Sequence, residues 1–235
     1  MFYCRNNELA KMEKRYRGGG FECVVIYGRR RVGKTALINE FCQDKKKIYF
    51  SALDTTPQEN LRSLSKAISE CENEGALSAA EYKSFEDAFD RISYLAGKDR
   101  IVFVIDEYPY LAKSEPSISS RLQHLIDHAW KDSQLYLILC GSSMSFMEYQ
   151  VLGYESPLYG RRTAQFKIEA LNYKETAVFN PDLSEEENAL IYGITGGIPH
   201  YINKLNVDTD LDEAILKNIF DLLYRASGFH PIHIS

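Results

Sequence analysis

Gly28-Arg29-Arg30-Arg31-Val32-Gly33-Lys34-Thr35 has the spacing G-x-x-x-x-G-K-[ST] of a phosphate-binding loop, and its flanks decide the fold. Before it, Cys23-Val24-Val25-Ile26-Tyr27 is a short β-branched run suited to a buried parallel strand. After it, Ala36-Leu37-Ile38-Asn39-Glu40-Phe41 carries apolar residues at helical spacing. Strand, glycine-bounded loop and helix thus come in the order an anion cradle needs. The glycines let the backbone wrap so that its N–H groups, with the positive end of the helix, point at a β-phosphate. Lys34 is then placed to bridge β- and γ-phosphates, and the Thr35 hydroxyl to hold Mg²⁺.

The same alternation of short apolar runs and helical patterns continues downstream. Further strands are expected at Lys47–Ala52, Ile101–Ile105 and Leu135–Cys140, with a shorter, more polar one at Thr163–Ile168 that suits a sheet edge. Thr56-Pro57-Gln58-Glu59 reads as a capping box opening a helix whose inner face is Leu61, Leu64, Ile68 and Cys71. Another helix runs from about Ser84 to Leu95 with Gly97 as its stop, and Ile118, Leu122, Leu125, Ile126 and Ala129 mark the inner face of the next. Strands separated by helices imply an α/β fold, a doubly wound parallel five-stranded sheet that binds ligands at the carboxyl ends of its strands. Beyond Ala170 the pattern is helical, with starts at Asn172, Ser184 and Asp210, so residues 1–170 are expected to form a core and 171–235 a small helical lid. Gly18-Gly19-Gly20 reads as a flexible turn.

Asp106 and Glu107 follow the strand Ile101–Ile105 directly, where a second phosphate-handling element must lie if the first is real. An aspartate at a strand end can hold Mg²⁺ through its water shell, and the neighbouring glutamate can take a proton from an attacking water. The paired carboxylates favour hydrolysis over a pure nucleotide switch. Leu135–Cys140 ends in Gly141-Ser142-Ser143, so Ser142 or Ser143 is able to orient that water, or else to cap the helix that follows. Ser156-Pro157-Leu158-Tyr159-Gly160-Arg161-Arg162 presents arginines on a glycine turn, and Arg161 is a candidate to neutralise charge on the γ-phosphate of its own subunit or a neighbour's.

Composition sets the bounds. The chain has 235 residues, 45% of them hydrophobic, which supports a real core. The net charge is −5, but residues 1–50 hold 12 Lys/Arg against 5 Asp/Glu. That basic end coincides with the phosphate loop, while an overall pI near 5.6 argues against a dedicated DNA-binding domain. Cys4, Cys23, Cys42, Cys71 and Cys140 are widely spaced and read as reduced residues of a cytoplasmic protein. No apolar run approaches a membrane span, and Arg5 and Glu8 stand where a signal peptide needs apolar residues.

These motifs resemble the P-loop ATPases of the AAA+ and STAND-like group, most closely the archaeal-type ATPase family. The resemblance rests on Phe2-Tyr3-Cys4-Arg5-Asn6-Asn7-Glu8-Leu9, similar to the family's opening F-x-x-R-x-x-E-L. It rests also on the phosphate loop, Asp106-Glu107, Gly141-Ser142-Ser143, Pro157-Leu158-Tyr159-Gly160-Arg161 and Gly196-Gly197-Ile198-Pro199. It implies ATP and Mg²⁺ as ligands, with Gly28 through Ala36 as the nucleotide-binding loop. It further implies Arg5 and Glu8 near the adenine, Pro199 at a lid helix beside it, Glu107 as catalytic base, and Thr35 and Asp106 at the metal. Lys34, Arg161 and Ser142 complete the expected catalytic set. Such proteins usually continue into a winged-helix region and a further C-terminal domain, so an effector segment is expected to be missing here, and a homo-oligomer is compatible with the pattern.

Other signals are weaker. His124 and His128 have metal-ligand spacing without a third ligand cluster, and His230 and His233 are isolated. Asn203-Lys204-Leu205-Asn206 lacks the aspartate of a guanine-reading motif, so adenine is preferred. Tyr16, Tyr108, Tyr110 and Tyr159 are able to stack on bases but are mostly expected to pack. Three functions are open at this point: an ATPase coupling hydrolysis to movement of the lid, a nucleotide switch with negligible hydrolysis, and a small-molecule kinase. A nucleic-acid role has only the basic N-terminal region behind it.

Overall fold

The computed structural model describes residues 4–72 and 81–205. In chain order the elements are α1 (Asn6–Arg17), β1 (Glu22–Tyr27), α2 (Lys34–Phe41), β2 (Lys47–Ser51), α3 (Pro57–Glu72), α4 (Phe85–Ala96), β3 (Val102–Asp106), α5 (Tyr108–Ser114) and α6 (Ile118–Leu125). They continue with β4 (Tyr136–Gly141), α7 (Met144–Phe146), β5 (Ala164–Lys167), α8 (Tyr173–Ala177), α9 (Glu185–Thr195) and α10 (Pro199–Ile202). The described residues fall into two compact units, Cys4–Glu169 and one beginning at Ala170.

The first unit is built on the expected five-stranded sheet, in the order β2-β3-β4-β1-β5, with every pairing parallel. Position in the sheet explains the sequence pattern. Every residue of β3 and β4 is buried, as is all of β1 after Glu22, because helices cover both faces and leave no room for alternation. At the two edges the alternation returns, in β2 and in β5. One face packs Val25, Phe103, Ile105, Leu137 and Leu139 against α3, α4 and α6; the other packs Val24, Ile26, Val104, Ile138 and Cys140 against Met12 of α1 and Leu37, Ile38 and Phe41 of α2.

Several local expectations need correction. Ala129 is exposed and Trp130 is fully buried instead. The cause is a π-turn, Ile126–Trp130, in which Lys131 N–H donates to the Ile126 carbonyl at 3.1 Å. An i→i+5 turn takes up one more residue than an α-turn, so the inner face slips by one position. Trp130 then meets Phe89 and Phe103 edge-on, at centroid distances of 6.0 and 6.5 Å, and its indole N–H donates to Ser93 Oγ at 2.7 Å. The Thr56–Glu59 box is only half formed: Thr56 Oγ1 accepts from Glu59 N–H at 3.3 Å, but the Glu59 carboxylate takes the Thr55 hydroxyl. Gly97 does stop α4 as expected, at φ −74°. The Gly18–Gly20 turn is tied down, since Arg100 donates to the Gly20 carbonyl at 2.9 Å while its guanidinium lies 4.7 Å from the Tyr16 ring.

In the second unit α8 and α9 start at Asn172 and Ser184, each with a complete capping box. Gly196 ends α9 in the left-handed region, and Pro199 is the first residue of α10. The helix start expected at Asp210, and His230 and His233, lie outside the described residues. Among the described residues no helix is long and apolar enough to cross a membrane.

Candidate active site

Sheet register assembles the site. Tyr27 at the end of β1 lies opposite Gly141 at the end of β4, and Ile105 of β3 lies opposite Leu139. The loop from Gly28, the Asp106-Glu107 pair and Ser142 therefore leave the same rim of the sheet, on three adjacent strands.

Two glycines shape the loop. Gly33 starts α2 at φ 98°, in the left-handed region that a side chain disfavours. Gly28 approaches the backbone so closely that a Cβ there would lie 2.1 Å from the Ile168 carbonyl oxygen. Lys34, at the first position of α2, is 6% exposed, and its Nζ donates to the Gly28 and Arg29 carbonyls at 2.9 and 2.8 Å. Among the described residues no carboxylate lies within 4 Å of it. A buried cation offset only by neutral dipoles is a donor set suited to an anion. Arg29, Arg30 and Arg31 are exposed around the loop, and Arg30 donates to the Tyr110 hydroxyl at 2.6 Å.

The acidic pair is held on all sides. Asp106 is buried; its Oδ1 accepts Glu107 N–H at 3.0 Å, and its Oδ2 accepts the Tyr49 hydroxyl at 2.8 Å and the Thr35 hydroxyl at 3.4 Å. Thr35 and Asp106, the two expected metal holders, are thus in contact, and a hydroxyl beside a carboxylate is an oxygen donor set that fits Mg²⁺. Burial, then the Asp106 charge, pushes the Tyr49 phenol and the Cys140 thiol well above their ordinary values, so both stay protonated as donors. Tyr49 is not singled out by the sequence; the signal that points to it is a tyrosine two residues before the end of the strand flanking the acidic one.

Glu107 sits in the left-handed region, φ 50° and ψ 45°, one of three non-glycine residues with positive φ among those described. Its Oε2 accepts both the Ser142 hydroxyl at 2.9 Å and the Ser142 N–H at 3.2 Å. Ser142 therefore grips the glutamate. Ser143 occupies the N-cap of α7 without a side-chain cap bond, so the capping alternative fails there.

Arg161 does not join this group. Thr163 N–H bonds the Cys23 carbonyl and Ala164 lies opposite Val24, so Arg161 precedes the amino end of β5 while the loop leaves the carboxyl end of β1. Four residues of strand, about 13 Å, intervene. Its guanidinium grips both carboxylate oxygens of Asp127 at 2.9 and 2.6 Å and also donates to the Pro157 and Tyr159 carbonyls. A role on its own subunit's γ-phosphate is thereby corrected. The pair holds the Asp127 carboxyl below the usual aspartate range. A depressed folded-state pKa contributes stability above the unfolded value that is lost as pH falls through the folded one. Arg161→Ala should therefore cost under about 1 kcal/mol at pH 7, the pair being partly exposed, and the cost should shrink as pH falls through the folded-state pKa of Asp127; urea melts at neutral and acid pH check this.

Arg5 is 8% exposed and donates to the Val32 carbonyl at 3.5 Å, to Glu8 at 3.5 Å and to the Glu169 carbonyl. It ties the phosphate loop to the chain after β5. The His124 and His128 rings lie 4.6 Å apart, and among the described residues no cluster of three or more His, Cys, Asp or Glu side chains is placed to hold a metal. Tyr108 is buried in the core, Tyr110 accepts from Arg30, and Tyr159 pairs with Tyr154.

Residues 2–205 match the model of an ATPase domain family found predominantly in Archaea. The chain belongs to this archaeal-type ATPase family. An uncharacterized protein of Methanocaldococcus jannaschii is 37% identical to this ATPase domain over 207 residues, which is 88% of the chain and 44% of that relative. The chain thus spans less than half of that relative's length. Among solved structures, a Walker-type ATPase of Pyrococcus abyssi superposes with a TM-score of 0.75 at 19% identity, over 97% of this chain and 74% of that one. The Aeropyrum pernix ORC1 protein, solved in complex with DNA, gives 0.62 at 15% identity, over 95% and 62%. At these identities both carry the fold alone, that of P-loop ATPases.

Proposed function

We propose that this domain binds ATP with Mg²⁺ and hydrolyses it to ADP and phosphate. The observation that carries the reading is the convergence of Lys34 and Thr35, Asp106 and Glu107, and Ser142 at one rim of the sheet, with Thr35 against Asp106 and Ser142 against Glu107. Main-chain N–H groups from Gly28 to Ala36 cradle the β-phosphate, and Lys34 exchanges its two carbonyl partners for β- and γ-oxygens. Thr35 and Asp106 would hold Mg²⁺, which would supply charge neutralisation for the triphosphate. Glu107 takes the proton of the attacking water, and Ser142 aims its carboxylate.

The helical unit from α8 to α10 is the element to which turnover is coupled, with Pro199 at its nucleotide side as the family resemblance implies. We place the activity in the cytoplasm, where cysteines stay reduced; none of the five is in a disulfide. Mg²⁺-dependent phosphate release from the intact protein tests the reading. Tight ATP retention with no phosphate release would show a nucleotide switch instead, and transfer to an added acceptor would show a kinase.

A further inference from the structure

Asp106 has a donor on each carboxylate oxygen before any ion is considered. The terminal torsion of an aspartate is broad, so its rotamer does not by itself aim either oxygen. Here Glu107 N–H fixes Oδ1 at 3.0 Å and the Tyr49 hydroxyl fixes Oδ2 at 2.8 Å, leaving Oδ2 turned toward Thr35. Tyr49 reaches this position from a different strand. In the register it is Ser51 that lies opposite Asp106, whereas Tyr49 lies opposite Val104, two residues earlier. Two residues of strand are about 6.6 Å, the reach of a phenol and not of a serine or threonine. Leaning along the strand is a common side-chain direction in sheets, and alternation puts Tyr49 on the face that carries Val104 and the α2 helix.

We propose that Tyr49 is a positioning residue for Mg²⁺: its hydroxyl holds the Asp106 carboxylate in the one orientation that, with the Thr35 hydroxyl, takes the ion. The inference rests on the ATPase reading above. Outer partners that orient a ligand commonly change metal affinity tenfold or more when removed, because the ligand must then be ordered by the metal itself.

The test is binding of a non-hydrolysable ATP analogue, followed by calorimetry at graded Mg²⁺ and in EDTA, for the intact protein and Tyr49→Phe. The phenylalanine keeps the ring and removes only the hydroxyl. The half-saturating Mg²⁺ concentration should rise about tenfold while affinity in EDTA stays unchanged. In an Asp106→Asn background the same substitution should then have no further effect on Mg²⁺, as a shared pathway requires. An unchanged Mg²⁺ half-point in Tyr49→Phe, or an equal fall in EDTA and in Mg²⁺, overturns the role of Tyr49 while leaving the ATPase reading intact. Analogue binding by the intact protein that is indifferent to Mg²⁺ overturns both.

Discussion

Lys34→Ala is expected to lower ATP affinity at least a hundredfold, measured by calorimetry against the intact protein. The ammonium is buried at the start of α2, and among the described residues its hydrogen-bond partners are two main-chain carbonyls. Dipoles offset a buried charge poorly, so a triphosphate bound beside it gains more from this one contact than from any surface lysine. Removing one side of a buried, hydrogen-bonded charge pair costs about 2–5 kcal/mol, which spans the hundredfold expected. Alanine is the best helix former, so α2 itself has no reason to fray. Equal ATP affinity in the two proteins would take the loop out of nucleotide binding altogether.

Glu107→Gln separates binding from chemistry. The amide oxygen of glutamine still accepts from the Ser142 hydroxyl and N–H, so the grip seen at 2.9 and 3.2 Å survives and only the capacity to take a proton goes. ATP affinity should stay within about twofold of the intact protein, and phosphate release should slow about a hundredfold, the lower part of the range for a lost general base. Single-turnover measurements at saturating ATP isolate the chemical step. Normal turnover in this variant would leave the hydrolytic mechanism without its base.

The parts of this site that are contiguous in the chain are legible from the sequence. The loop Gly28–Thr35 and the pair Asp106-Glu107 each combine a strand pattern with residues whose chemistry demands that spacing. The capping boxes at Asn172 and Ser184 are equally local, since donor and acceptor are three residues apart. What sequence does not reveal is set by pairing between strands. The grip of Ser142 on Glu107 exists because β4 lies beside β3, between it and β1, and a hydrophobic pattern is blind to strand order. Tyr49 is hidden for the same reason: in an alternating strand it reads as packing, and only the register of β2 on β3 shows which carboxylate its hydroxyl meets. Arg161 sits on a turn whose sequence is compatible with either end of the sheet, and the pairing of β5 decides for the far one. The slip from Ala129 to Trp130 has a different origin, a π-turn that breaks the 3.6-residue period within one helix.

The left-handed backbone at Glu107 bears on how such a domain can be improved. A residue with a Cβ in that region gives up about 1–2 kcal/mol that glycine would not. At this position backbone strain and the proposed role of the carboxylate as base therefore pull in opposite directions, with the two Ser142 hydrogen bonds partly offsetting the strain.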